Sequence, residues 1–100
     1  MRNMQNFVNQ EVEFVAEISV AGDVSKPAIC VQNIEVRNAD MVVAVDHAWI
    51  QKSDNPIIAN IEERLQRHDM IHGKAKVGEY VKSNGHKDYN FTDMVIEGYE

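Results

Sequence analysis

Hydrophobic and polar residues alternate along most of this chain, and the alternation predicts β-strands. In EVEFVAEISV, residues 11–20, the apolar residues Val12, Phe14 and Ile18 fall on one face, and polar residues such as Glu13 fall on the other. A period of two residues is typical of a strand with one buried face. Four further segments have a strand-like pattern: AICVQNIEV (28–36), MVVAVDHAWI (41–50), MIHGKAKVGEYVK (70–82) and YNFTDMVIEGY (89–99).

The pattern changes between the third and fourth strands, where it predicts one helix. Within SDNPIIANIEERLQRH, residues 53–68, the apolar residues Ile58, Ile61 and Leu65 recur at helical spacing, and Glu62 points away from them. Such a narrow apolar stripe indicates a short amphipathic helix of about three turns.

The element order is therefore β-β-β-α-β-β, which predicts a mainly β (small α+β) fold. Five short strands with a helix after the third are typical of the five-stranded oligonucleotide/oligosaccharide-binding (OB-fold) barrel. An open five-stranded sheet with the helix packed on one face is the alternative. One hundred residues suit a single domain, 1–100, in which residues 1–10 precede the first strand and can be flexible. We expect the following residues in the core: Val12, Phe14, Ile18, Val45, Ile61, Leu65 and Val77.

The composition is that of a globular domain without a membrane segment or an internal disulfide. Hydrophobic residues make up 44% and charged residues 26% of the chain. No apolar run approaches the roughly 18 residues that can span a bilayer. The apolar neighbours of the single cysteine, Cys30, favour a small core residue. No secretory leader is readable in MRNMQNFVNQ, so we expect a cytoplasmic protein.

The charges are distributed unevenly along the chain. The net charge of −6 opposes general attraction to nucleic acid. Residues 64–88, however, carry six basic and three acidic residues. An acidic protein of this kind can still present one basic face.

A series of four motifs extends from about Cys30 onward: QNI (32–34), DHAWI (46–50), HDMIHGKAKVGEY (68–80) and DYNF (88–91). In this series the chain resembles a group of small uncharacterised OB-fold-like proteins of phages and mobile elements of Gram-positive bacteria, with the pattern DHxW … GDxIxFxAxVxxY … DY. Two positions depart from the pattern, since His68 replaces its leading glycine and Gly73 its phenylalanine. The resemblance implies a barrel fold and a phage-type origin, and it implies no particular activity.

The histidine-containing motifs do not predict catalysis or metal binding. Asp46 and His47 are consecutive in a strand, so their side chains point to opposite faces and cannot form a catalytic dyad. We interpret His47 as a half-buried residue beside Trp49. His68 and His72 are four residues apart, which is about 13 Å along a strand, and no third ligand stands at a companion spacing. Without a nucleophile, phosphate-loop or dinucleotide motif, we expect no enzyme activity, no cofactor and no metal.

Two sets of residues are candidate binding surfaces. A basic stripe with an aromatic residue suits a single strand of nucleic acid, although lysines also commonly protect an exposed strand edge. Three carboxylates on the first strand, which we expect on an opposing face, suit a basic protein partner. The basic stripe is Lys74, Lys76, Tyr80, Lys82, His86 and Lys87, and the acidic set is Glu11, Glu13 and Glu17.

These surfaces lead to two hypotheses of function. The first is a protein-binding module of phage type, an inhibitor that occupies a basic surface of a host nucleic-acid-handling or defence complex, as in an anti-CRISPR protein. The second is an accessory single-stranded nucleic-acid-binding protein that uses the fourth strand and the 4–5 loop. Net charge favours the first hypothesis, which we adopt, whereas the fold and the basic stripe favour the second. Neither hypothesis names the partner or the oligomeric state.

Overall fold

Five antiparallel strands form one sheet with the strand order β3-β2-β1-β4-β5. The computed structural model describes residues 2–100, with side chains from residue 4 onward. The predicted mainly β fold, with five strands and a short helix between the third and fourth, is confirmed. The strands are β1 (Glu11–Val20), β2 (Ala28–Asn38), β3 (Met41–Gln51), β4 (Met70–Val81) and β5 (Lys87–Tyr99); the α-helix is α1 (Pro56–Ile61), and 3-10 helices cover Arg2–Phe7 and Glu62–Arg64.

The sheet is built from two hairpins on either side of β1. The hairpin of β2 and β3 turns at Ala39 and Asp40, and β4 and β5 form the second hairpin through residues 82–86. The edge strands β3 and β5 also contact each other. They share no hydrogen-bonded ladder within residues 2–100, so the sheet is not closed into a barrel.

The side chain of Asn55 joins the end of β3 to β5. It is fully buried, and its amide nitrogen donates hydrogen bonds to the backbone oxygens of Gln51 and Phe91, each at 2.9 Å. Its carbonyl oxygen accepts a hydrogen bond from the Met94 N–H at 3.1 Å. We call these three bonds the Asn55 bridge. They satisfy backbone groups of β5 that a neighbouring strand would otherwise have to pair.

The core lies between the curved inner face of the sheet and the helices. Of the seven predicted core residues, all are buried except Ile61, which is half-buried against the cluster. The ring centroids of Phe14 and Phe91 are 5.6 Å apart at the centre of this core. Met4 and Phe7 of the N-terminal 3-10 helix are also buried in it.

Both β2 and β3 change the face that they bury near their middle. In β3 the buried positions pass from Val45 to Ala48, so the alternation shifts by one residue. In β2 the extra residue is Asn33, whose φ of 50° marks the point where β2 slips against β1. As a result, Trp49 points outward and is 56% exposed. His47 is exposed as well, so the half-buried position predicted for it is wrong.

The helix is shorter than the predicted three turns, and the 3-10 turn that follows it directs Glu62 inward. Glu62 is 2% exposed, and its carboxylate lies 2.5 Å from the largely buried ammonium of Lys52. Lys52 also donates a hydrogen bond to the backbone oxygen of Asp23, at 3.2 Å, in the loop between β1 and β2. The predicted outward position of Glu62 is wrong because a largely buried cation lies within its reach. No helix within residues 2–100 has the length and apolar character needed to cross a bilayer.

Gly73 stands where the pattern of the predicted resemblance has a phenylalanine. It is buried in β4 and pairs with Phe14 on β1. A Cβ at this position would collide with the backbone oxygen of Val95 on β5. A side chain therefore cannot occupy this position without a shift of β5, and Phe14 occupies the core beside it.

Candidate functional site

The acidic set and the first half of the basic stripe lie on neighbouring strands of the same outer face of the sheet. Glu11 is opposite Lys76, and Glu13 is opposite Lys74, in the register of β1 and β4. Arg37 on β2 is opposite Glu13 from the other side. Since directly opposed residues of opposite charge attract each other, the two sets offset one another. The prediction that they occupy opposing faces is wrong.

Glu17, the third member of the acidic set, is held by three side chains. Its carboxylate accepts hydrogen bonds from Gln32 and Asn33, each at 3.0 Å, and lies 2.7 Å from Nδ1 of His68. The hydrogen bond with His68, followed by those from Asn33 and Gln32, lowers the pKa of Glu17 to about 2. This carboxylate stabilises the bulge of β2 and is not a free docking group.

The lysines in the second half of the basic stripe form ion pairs. Lys82 Nζ lies 3.2 Å from Asp88 Oδ2, and Lys87 Nζ lies 3.5 Å from Glu79 Oε1. His86 is exposed in the loop between β4 and β5. The stripe therefore has less uncompensated positive charge than its sequence indicates.

An open groove of about 580 Å³ lies between β3 and the β4–β5 hairpin. Trp49 enters it from β3 because of the face change, and Tyr80, 44% exposed, enters it from β4. Among the residues that the structure describes, the lining contains three aromatic side chains and two carboxylates, but no Lys or Arg. We call it the aromatic groove; its lining residues are His47, Ala48, Trp49, Gln51, Asp54, Tyr80, Asp88, Tyr89 and Asn90.

Tyr80 and Asp88 form the fixed wall of the aromatic groove. The Tyr80 hydroxyl donates a hydrogen bond to Asp88 Oδ2 at 3.2 Å, and Asp88 Oδ1 accepts one from the Tyr89 N–H at 2.9 Å. Burial, together with the charge and hydrogen bond of Asp88, raises the pKa of Tyr80. Burial alone would raise the pKa of Asp88, but hydrogen bonds that include those from the Tyr89 N–H and Lys82 hold it below its usual range. Asp88 therefore stays ionised and already paired.

Asp54 carries the second carboxylate of the groove and differs from Asp88 in its contacts. Its side chain is exposed and makes no hydrogen bond or ion pair to any residue that the structure describes. Its backbone oxygen accepts a hydrogen bond from the Asp93 N–H at 3.0 Å, and the next residue is the buried Asn55. An uncompensated negative charge is thus carried on a fixed backbone at the groove.

The other histidines and the cysteine do not converge on a site. His68 contacts Glu17, and the ring of His72 lies against Gly98. Cys30 is half-buried, where the sequence predicts a core residue. In the described part of the chain, no group of three His, Cys, Asp or Glu side chains is arranged to hold a metal ion.

No protein-family model, curated protein or solved structure matches the chain. The resemblance to phage and mobile-element proteins therefore stays a prediction. The chemistry of the aromatic groove carries the functional argument instead.

Of the residues that line the groove, only Tyr80 is among the binding candidates that the sequence predicts. The pattern of β3 gives no sign of the face change that exposes Trp49, and Asp54 and Tyr89 reach the groove only because β3 and β5 contact each other. The available signal was the proximity of two aromatic-containing motifs, DHAWI and DYNF, to predicted strand ends. Nothing in the sequence shows that these two ends meet.

Proposed function

We propose that this chain is a small non-catalytic binding protein that docks on a basic surface of a partner protein. The observation that carries the proposal is the lining of the aromatic groove, in which the described residues supply three aromatic side chains, two carboxylates and no Lys or Arg. Exposed Trp and Tyr are enriched at the energetic centres of protein interfaces. Negative charge at the groove, within a protein of net charge −6, favours a positively charged partner.

The proposal includes an OB-fold-like architecture, a partly open barrel. The order of elements and the contact between β3 and β5 support it. In an OB-fold, ligands bind across strands 2 and 3 and at the 1–2 and 4–5 loops. The aromatic groove lies on β3, close to the 4–5 loop at residues 82–86. Its position agrees with the ligand site of such a barrel.

Single-stranded nucleic acid is the less favoured ligand. Binding of a strand needs a positively charged track for the phosphates as well as aromatic platforms for the bases. The platforms are present, but Lys82 and Lys87 are in ion pairs, and Lys74 and Lys76 stand opposite glutamates. The charge requirement is the one that the described residues fail to meet.

The partner class that we propose is a nucleic-acid-handling or defence complex of a host cell. Such complexes present basic grooves to nucleic acid, and an acidic protein can occupy these grooves by charge complementarity. An inhibitor of this type would act in the cytoplasm of the host cell. The charge of the chain and the lining of the groove support this proposal.

The single tryptophan allows a direct test. Because Trp49 is the only tryptophan of the chain, its fluorescence reports on the aromatic groove alone. A short peptide of alternating lysine and arginine is expected to change that fluorescence in a saturable way. Oligothymidine at the same ionic strength is expected to bind only weakly, since the groove repels phosphates.

Variants locate the binding. Tyr80→Ala is expected to weaken peptide binding by about tenfold, as for a central interface aromatic. Val42→Ala, an exposed position of β3 outside the groove, is the matched control and should change affinity by less than about twofold. Micromolar oligothymidine binding that is lost in Tyr80→Ala, with a log–log salt slope near −0.7 per phosphate, would support the nucleic-acid hypothesis instead.

The acidic set has a separate expected role. Glu11 and Glu13 are exposed but lie outside the aromatic groove, so they can only attract a basic partner at a distance. Glu13→Lys is therefore expected to slow association, measured by stopped-flow fluorescence of Trp49, with a smaller effect on dissociation. An accelerated dissociation with unchanged association would place Glu13 in the bound contact.

A further inference from the structure

We propose that the aromatic groove is an arginine site, in which a guanidinium group of the partner stacks on Trp49 and pairs with Asp54. This inference rests on the proposed binding to a basic protein surface and specifies the side chain that the groove takes.

The aromatic faces of the groove are not stacked on each other. The pair Phe14 and Phe91 is the one close ring contact among the described residues, and it lies in the core. Trp49 and Tyr80 are 56% and 44% exposed, and the hydroxyl of Tyr80 is anchored on Asp88 at 3.2 Å. A flat cation over the face of an indole or phenol ring is attracted by the ring quadrupole. The groove therefore offers uncovered aromatic faces to such a cation.

The negative charge of the groove also favours a cation as its ligand. Asp54 has no partner for its carboxylate among the described residues, whereas Asp88 is already paired with Lys82. No Lys or Arg in the part of the chain that the structure describes lines the groove and competes for Asp54. The backbone of Asp54 is tied to the Asp93 N–H and precedes the Asn55 bridge, so the carboxylate is presented from a fixed position.

Arginine fits this combination better than lysine. Guanidinium is planar, so it can lie on the ring of Trp49 and still direct two parallel N–H groups to the Asp54 carboxylate. Its remaining N–H groups can be satisfied by the side-chain amides of Gln51 and Asn90, which also line the groove. An ammonium group is a compact, strongly hydrated charge and cannot stack and pair in this way.

Three matched peptides test the inference. We would use short peptides in which serine alternates with arginine, with lysine or with citrulline, and follow the fluorescence of Trp49. The arginine peptide is expected to bind about tenfold more tightly than the lysine peptide, because only guanidinium can stack and form two hydrogen bonds. Citrulline retains the shape but not the charge, and its peptide is expected to show no saturable change.

Variants of the carboxylates provide the second measurement. Asp54→Asn is expected to weaken binding of the arginine peptide by about tenfold and to reduce the preference over lysine. Asp46→Asn makes the same change of charge at an exposed position of β3 outside the groove, and it should leave affinity within about twofold.

The outcomes separate this inference from the proposed function. Equal binding of the arginine and lysine peptides, lost for both in Tyr80→Ala, would overturn the arginine site and leave the basic-partner proposal standing. Unchanged binding of the arginine peptide to Asp54→Asn would likewise overturn the arginine site. If neither peptide binds and oligothymidine does, both proposals are overturned.

Discussion

Asn55 precedes the first residue of α1, yet its side chain makes no capping bond to the helix. It instead forms the Asn55 bridge to both edge strands. We expect Asn55→Leu to lower the free energy of unfolding by roughly 2–5 kcal/mol, because several backbone groups would be buried without a partner at about 1–3 kcal/mol each. Urea denaturation followed by circular dichroism measures this change.

Asn60→Ala is the matched control for this substitution. Asn60 is exposed on α1, and its replacement should change the free energy of unfolding by no more than about 0.5 kcal/mol. A loss below about 1 kcal/mol in Asn55→Leu would contradict the role assigned to the bridge.

Glu17 is expected to make stability depend on pH in the acidic range. Its pKa is lowered from 4.5 to about 2 in the folded protein, so the folded state binds this proton more weakly than the unfolded state. The stability that it contributes is therefore complete above about pH 4.5 and is lost as the pH falls to about 2. The midpoint of urea denaturation for the wild type and Glu17→Gln should accordingly converge as the pH is lowered through this range.

Glu63→Gln is the control for this pH series, since Glu63 is exposed beside α1. Its difference from the wild type should stay small at every pH. A Glu17→Gln difference that is constant between pH 6 and pH 2 would argue that His68, Asn33 and Gln32 do not hold this carboxylate.

Individual residues could be placed from the sequence where alternation is regular. Phe14, Ile18 and Val77 are buried as predicted, because β1 and β4 keep their alternation along these positions. Trp49 and Glu62 could not be placed. The exposure of Trp49 depends on a face change in two strands, and the burial of Glu62 depends on Lys52, ten residues earlier in the chain.

Among the elements, the N-terminal 3-10 helix contributes to the core more than its polar sequence indicates. Phe7 is 2% exposed, and the following residues bond to β4 through Asn9, whose N–H donates to the backbone oxygen of Val77 at 2.9 Å. Phe7→Ala is expected to cost about 3–5 kcal/mol of unfolding free energy, measured by thermal or urea denaturation. Gln5→Ala, at an exposed position of the same helix, should be close to neutral. Equal stability of the two variants would show that this helix is not part of the folded core.

The order and the type of the elements were predictable, whereas their irregularities were not. Period-two alternation located all five strands, and the change of period located the helix. The bulges at Asn33 and Asp93, where φ is 50° and 52°, arise where the register between neighbouring strands shifts. The shift at Asn33 is between β1 and β2, and the shift at Asp93 is between β4 and β5. Of the two bulges, only the one at Asp93 has a signal in the local sequence, because Thr92-Asp93 interrupts an apolar run. The aromatic groove depends on the bulged region of β2 and β3, so it was beyond prediction from sequence.

For the whole molecule, we expect no dependence of stability on metal ions. Among the residues that the structure describes, no three His, Cys, Asp or Glu side chains are arranged to hold a metal ion. A structural metal contributes directly to folding free energy, so a chelator such as EDTA should leave the melting temperature unchanged. A fall of several degrees in the melting temperature would contradict this expectation and would make His68 and His72 the first candidate ligands.

The central position of β1 has a consequence for how the chain reaches this structure. Both hairpins close through short turns, but β1 pairs with β4 between residues as distant as Glu11 and Lys76, 65 positions apart. Closing so long a segment costs chain entropy, and the contacts that offset this cost form only when the two strands pair. Topologies dominated by such non-local contacts fold in about milliseconds to seconds. We therefore expect the two hairpins to assemble early and independently, and the β1–β4 register, with the core around Phe14, to form last. Until then the faces of both hairpins are uncovered, which makes this interval the one in which the chain is most exposed to aggregation.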